Sequence, residues 1–186
     1  MARVYLFLAE GFEEIEGLTV VDLLRRAEID ISMVSITGKL TVTGSHHITT
    51  DADVLFEDAD FSDADMLVLP GGLPGTVNLL EHPGLDALLR EFAAKEKNIA
   101  AICAAPRVLG TKGMLAGKKV TCYPGNETYL TGAQVMDAAV VEDGNILTSR
   151  GMGTAIDFAL AIIRYLKDAQ EAEKIAKSIQ YRHYTE

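Results

Sequence analysis

Cys103 and Cys122 are the only cysteines in the chain. So few thiols exclude a disulfide-stapled scaffold and read as free sulfhydryls of a reducing compartment. Histidine is almost as scarce. Of the four, His46 and His47 are adjacent and would face opposite sides of a strand, and no pair has metal-ligand spacing, so no metal is expected. Positive charge is also in deficit: 17 Lys and Arg against 27 Asp and Glu leave a net charge of -10. That balance excludes a nucleic-acid surface, which needs clustered cations, and suits anionic membranes equally badly. No apolar run approaches the ~20 residues that span a bilayer. The N-terminus MARVYLFLAEGFEE has no cleavable signal pattern, so the expected location is cytoplasmic. Linkers, low-complexity tracts and internal repeats are missing too.

What remains is enough for a sizeable core: 186 residues, 48% of them hydrophobic. The expectation is a single α/β domain over residues 1–186. Apolar runs of strand length alternate with segments of helical period. RVYLFLA (3–9) leads into EEIEGLTVVDLLRRAE (13–28) and DISMVSI (30–36). DMLVLPGG (65–72), PGLDALLREFAAKEK (83–97) and NIAAIC (98–103) repeat the theme. Near-continuous apolar strands joined by helices predict a mostly parallel sheet covered on both faces. KKVTCYP (118–124) reads as a further strand. AAVVEDGNILTS (138–149) reads as a hairpin turning at Asp143-Gly144, and 37–50 as a small antiparallel excursion. TAIDFALAIIRYLKD predicts a helix with Thr154 as N-cap, and AEKIAKSIQYR a last one.

In open α/β sheets the ligand crevice lies beyond the carboxyl ends of the strands. Three such ends carry chemistry here: AEGFEE, PGG and Cys103. AAICAAP places Cys103 at a strand-to-helix turn with small neighbours and Pro106 in the first helical turn. At an elbow of this kind the backbone N–H groups and helix N-terminus favour negative charge on sulfur. The competing reading is a buried strand-end cysteine, and the two stand about level on this pattern. Cys122 lacks the turn and reads as core. Glu16 shares a helix face with Val20, Leu23 and Ala27. A carboxyl on an apolar face is paired or protonated, unless fraying of the first turn lets it reach water. Glu14 falls on another side and reads as solvent-facing; Glu13 is ambiguous. In PGGLPG, Gly72 can bring a backbone N–H close to a ligand, with the Ala104 N–H as its counterpart in an oxyanion site. The stretch lacks the Lys-Ser/Thr of a phosphate loop and the spacing of a dinucleotide fingerprint.

GFEEIE, LPGG, AAICAAP and TSRGMGTAIDFAL, in this order, resemble the ThiJ/PfpI superfamily, in the branch of the parkinsonism-associated protein deglycase and its bacterial relatives. The resemblance covers nearly the whole chain. It implies a flavodoxin-like three-layer α/β sandwich with a small antiparallel hairpin, a homodimer, and no cofactor. It also implies that Cys103 is the nucleophile and is readily oxidised. Glu16 is then the protonated acid that bonds it, and Gly72 and Ala104 supply the backbone donors. The implied activity is glutathione-independent glyoxalase or deglycase chemistry on dicarbonyls and glycated adducts; the alternative is a thiol redox sensor or oxidative-stress chaperone. Departures from the family pattern are informative. Peptidase relatives carry histidine directly after the cysteine, where this chain has Ala104, so proteolysis is not expected. Tyr123 stands where several relatives have a histidine, and its pKa of about 10 makes it a poor base. His46 stands where close relatives have a pocket arginine. Arg150 matches a family arginine whose structural role is favoured over a pocket role.

Overall fold

Strand alternation divides the core in two. In RVYLFL, Leu6 and Leu8 enter one hydrophobic cluster while Tyr5 and Phe7 enter another, because successive side chains leave a strand on opposite faces. The structure, a computed structural model, describes residues 2–182. In chain order the elements are β1 (Arg3–Leu8), α1 (Glu14–Arg26), β2 (Asp30–Ser35), β3 (Thr41–Thr43), β4 (Thr49–Asp51), β5 (Val54–Leu55), β6 (Met66–Leu69), α2 (Gly75–Glu81) and α3 (Pro83–Ala94). They continue as β7 (Asn98–Ile102), α4 (Pro106–Thr111), β8 (Lys119–Val120), β9 (Gln134–Val135), β10 (Val140–Asp143), β11 (Ile146–Ser149), α5 (Ala155–Leu166) and α6 (Ala169–Ser178).

Seven strands form the central sheet in the order β10-β11-β7-β6-β1-β2-β5. All neighbours pair in parallel except β10 with β11, the hairpin expected at Asp143-Gly144. Helices α1, α5 and α6 cover one face through Val20, Leu24, Phe158, Ile162 and Ile175. Helices α2, α3 and α4 cover the other through Leu79, Leu89, Phe92 and Leu109. Burying each such side chain contributes about 1.5–3 kcal/mol, so the two layers carry most of the stability. This is the flavodoxin-like α/β architecture with its small antiparallel hairpin. The excursion at 37–50 is also antiparallel, pairing β3 with β4.

Two local expectations need correction. KKVTCYP does not join the main sheet. Lys119 and Val120 pair only with Gln134 and Val135, and the Thr121 N–H is taken by the Thr148 hydroxyl at 2.8 Å. Two residues on, Tyr123 N–H donates to the Cys103 carbonyl, so the segment crosses the rim of the sheet instead of extending it. Thr154 occupies the position before α5, but its hydroxyl donates to the Gly151 carbonyl and pairs with Ser149; it fastens the preceding 3₁₀ turn and caps no helix N–H. Helix α2, over GTVNLLE, is an element that period alone did not separate from the PGGLPG turn.

Candidate functional site

The sheet order places β7, β6 and β1 side by side, so the three rim segments singled out in the sequence converge. Cys103 follows β7 with φ +65°, a left-handed conformation that a non-glycine residue holds only when its surroundings enforce it. The enforcement is visible. Cys103 N–H donates to Ser149 O at 2.9 Å, Tyr123 N–H to Cys103 O at 2.8 Å, and Ala105 N–H to Ile102 O at 3.0 Å. The thiol is half-buried, and Cys122 is buried, both as free cysteines.

Glu16 lies wholly inside, with no exposed surface. Glu13, at the N-cap of α1, accepts the Glu16 N–H at 2.7 Å and so fixes the first turn. The Glu16 Oε2 atom accepts the Gly71 N–H at 2.9 Å, while Oε1 is buried without a hydrogen bond. Gly71 marks where acid and thiol meet. A Cβ placed there would stand 2.6 Å from Glu16 Oε2, 2.7 Å from Cys103 Cβ and 3.1 Å from Cys103 Sγ. Gly72 has φ +90°, and a side chain on it would strike the Glu13 nitrogen at 2.4 Å.

Burial drives the electrostatics. It raises the Glu16 pKa to about 7, with the nearby Glu13 charge adding to the rise and the thiol and the Gly71 N–H opposing it. The Cys103 thiol is also pushed up, first by burial and then by the charge of an ionised Glu16; the backbone N–H groups of Ala104 and Gly72 pull it the other way. The elbow donors favour negative charge on the sulfur, as the sequence predicts, but burial outweighs them. Helix α4 is only six residues long, so its end carries little dipole to set against burial beside a carboxylate. Glu16 Oε2 and Cys103 Sγ meet around Gly71, so the charge on either one weighs on the proton of the other.

Glu14 differs most from its sequence reading. It is buried, not solvent-facing, and its carboxylate fastens the turn between β3 and β4. It accepts the His46 N–H at 2.7 Å, contacts His46 Nδ1 at 2.9 Å, and lies within reach of the Ser45 hydroxyl and the Ile48 N–H. Despite burial, these bonds hold its pKa down to about 2. His46 is raised in turn by the hydrogen bond and charge of Glu14. One ligand-type atom each from Glu13, Glu14 and His46 come within 4.8 Å of one another. Both Glu14 oxygens are already engaged, and the group sits at the positive end of α1, so the arrangement is that of an ion pair.

Tyr123 and Arg150 line a different part of the rim, a groove of about 390 Å³ shared with Gly151, Met152 and Thr154. The Tyr123 ring lies against Gly151, and its own backbone ties the groove to the elbow. The Arg150 guanidinium is paired with Asp137. The structure thus brings Cys103, Glu16, Gly72 and Ala104 together, sets Tyr123 and Arg150 beside them, and holds His46 on the Glu13–Glu14 side. Gly71, Glu13 and Glu14 complete the arrangement without having been assigned a part beforehand. The doubled glycine of PGGLPG was a signal for the first; nothing local signalled the burial of Glu14.

Residues 2–165 match the family described as DJ-1/PfpI. The Parkinson disease protein 7 homolog of Danio rerio is 37% identical over 177 residues, covering 93% of this chain and 94% of that protein. A protein of Pyrococcus abyssi named a deglycase is 32% identical over 168 residues, covering 89% of this chain and 99% of the relative. The match to protein DJ-1 homolog B of Arabidopsis thaliana covers only 39% of that longer protein. Among solved structures, oxidised DJ-1 of Toxoplasma gondii superposes with a TM-score of 0.94 at 33% identity, over 98% of this chain and 100% of that one. Among the described residues no helix is long and apolar enough to cross a membrane.

Proposed function

The chain belongs to the DJ-1/PfpI family, and from that premise we propose that it detoxifies reactive dicarbonyls through Cys103, as a glutathione-independent glyoxalase or deglycase. One observation carries the reading: a strained, half-buried cysteine shares its site with a fully buried glutamate whose pKa stands at about 7. A group with that pKa takes and returns protons at neutral pH with little driving force lost in either direction. The deglycase name of the Pyrococcus abyssi relative supports the substrate class.

The chemistry runs as follows with methylglyoxal. Glu16 carboxylate takes the Cys103 proton as the sulfur adds to the aldehyde carbon, and the proton passes to the new alkoxide, giving a hemithioacetal. The Gly72 and Ala104 N–H groups steady the developing oxyanion, worth about 3 kcal/mol per donor in comparable sites. Glu16 then removes the proton on the former aldehyde carbon and returns it to the adjacent carbon, while the hydroxyl proton passes to the former ketone oxygen through the enediol. One carbon is oxidised, the other reduced, and a lactoyl thioester remains on Cys103. Water cleaves it to lactate and free thiol. Glycated amines and thiols join the same path when the C–N or C–S bond of the adduct breaks, the amine or thiol leaving with a proton from Glu16, and Cys103 adds to the aldehyde carbon so released. The groove lined by Tyr123 and Arg150, joined to the elbow by the Tyr123 N–H bond to the Cys103 carbonyl, is the space offered to the remainder of such an adduct.

A second reading, thiol redox sensing or a stress-chaperone role, draws on the oxidised state of the Toxoplasma gondii relative. Sulfenic and sulfinic acids at Cys103 would find a neutral Glu16 as hydrogen-bond donor. The experiment that separates the two is lactate formation from methylglyoxal, with Cys103→Ser as control. Turnover by the wild type and none by the variant supports the enzyme. No turnover above buffer, with peroxide adding two oxygens at Cys103, supports the sensor.

A further inference from the structure

The β3–β4 turn delivers a titratable cation to the edge of this site. His46 Nδ1 lies 2.9 Å from Glu14 Oε2 and 3.8 Å from Glu13 Oε1. Glu13 is nearly enclosed, and its other oxygen holds the Glu16 backbone N–H at 2.7 Å. The sequence of contacts is therefore His46 to Glu13 to Glu16, and Glu16 is the group that meets the sulfur. Glu13 and Glu14 place two negative charges beside the start of α1, and the imidazolium is the cation set against them. We propose that His46 acts as a charge-tuning, positioning residue for Glu16: its protonation, felt through Glu13, governs whether Glu16 carries its proton.

The direction follows from Coulomb's law in a poorly solvated site. The titratable groups facing Glu16 are Glu13 and the Cys103 thiol; those facing His46 are Glu14 and Glu13. When His46 is protonated it offsets the Glu13 and Glu14 charges, and the ionised form of Glu16 is easier to reach. When His46 loses its proton as pH rises, the Glu13 carboxylate acts on Glu16 unopposed, and its acid form persists to higher pH. The device keeps a proton on the acid beside Cys103 at pH values where an isolated buried carboxyl would be giving it up. The His46 side chain is two-thirds exposed in the single chain, so its influence is screened by salt.

The inference rests on the reading of Glu16 as the proton carrier, yet its test requires no turnover. The Glu16 side-chain carboxyl is followed by carbon NMR in the intact protein across pH, with Glu16→Gln assigning the resonance. We expect the titration midpoint to move upward by several tenths of a unit in His46→Gln. His46→Arg, which keeps the cation, should bring it back to the wild-type value or below. Glu13→Gln should lower the midpoint, and in that background His46→Gln should no longer move it. An unchanged midpoint in His46→Gln overturns the proposal, as does a full His46→Gln shift persisting without Glu13. Absence of lactate formation would count against the enzyme reading and leave this coupling standing.

Discussion

Glu16 is held in a place that costs the fold stability. A carboxyl with an ordinary pKa of 4.5 is raised to about 7 in the native state, so the folded protein binds its proton more tightly than the unfolded chain does. The sign follows directly. Between pH 4.5 and 7 the native state holds more protons than the unfolded state, and stability falls as pH rises through that window. Below it, both states are protonated and nothing is lost; above it, the loss is constant. Glu16→Gln removes the titration while retaining an acceptor for the Gly71 N–H. Chemical denaturation should therefore find Glu16→Gln and wild type alike at pH 4, with the variant more stable by about 3 kcal/mol at pH 8. Equal stability at both pH values would mean that Glu16 reaches water in the native state. That was the alternative left open by the sequence, since helical period places Glu16 on the inner face but cannot say whether the first turn frays.

At the level of elements, the start of α1 shows where periodicity stops being informative. The spacing of Glu16, Val20, Leu23 and Ala27 identified the inward arc, and all four are buried. The same pattern put Glu14 in solvent because it assumes that whatever is not the core face is water. Here the β3–β4 turn covers that side. Its closeness is such that a Cβ on Gly44 would come 2.3 Å from the Glu14 carboxyl, a contact 30 residues distant that no local pattern encodes. The Glu14 pKa of about 2, below the ordinary 4.5, gives the opposite pH dependence to that of Glu16. Its contribution is present above pH 4.5 and is lost as pH falls from there towards 2. Wild type should lose stability on acidification through this window, and Glu14→Gln should lose less, being weaker to begin with at pH 6. Thermal melts at stepped pH check this; parallel curves for the two proteins would show that the turn is not fastened by the Glu14 charge.

For the molecule as a whole, the strand-end rule picked out, before any side chain was placed, three segments that the fold brings together. Cys103, PGG and AEGFEE converge because β7, β6 and β1 are adjacent, and adjacency follows from parallel strands joined by covering helices. The fate of KKVTCYP was less legible, since its bonds go to Thr148 and Cys103, partners settled only once the sheet exists. Ile15 and Ile48 are about half exposed on touching segments, and they are where the homodimer implied by the family resemblance is tested. Sedimentation should give twice the 20.1 kDa chain mass, and Ile15→Arg should return the protein to the monomer mass. A wild-type monomer at micromolar concentration would remove the dimer from the account. The central claim, that Glu16 moves the proton after Cys103 has taken the dicarbonyl, is tested most directly by giving methylglyoxal to Glu16→Gln and weighing the intact protein by native mass spectrometry, with Cys103→Ser as the control. The prediction is a substrate adduct that forms on Cys103 more slowly than in wild type but accumulates there, with lactate formation reduced at least ~100-fold, within the range of general acid–base contributions. Lactate release at the wild-type rate, or no adduct on Cys103, would contradict it.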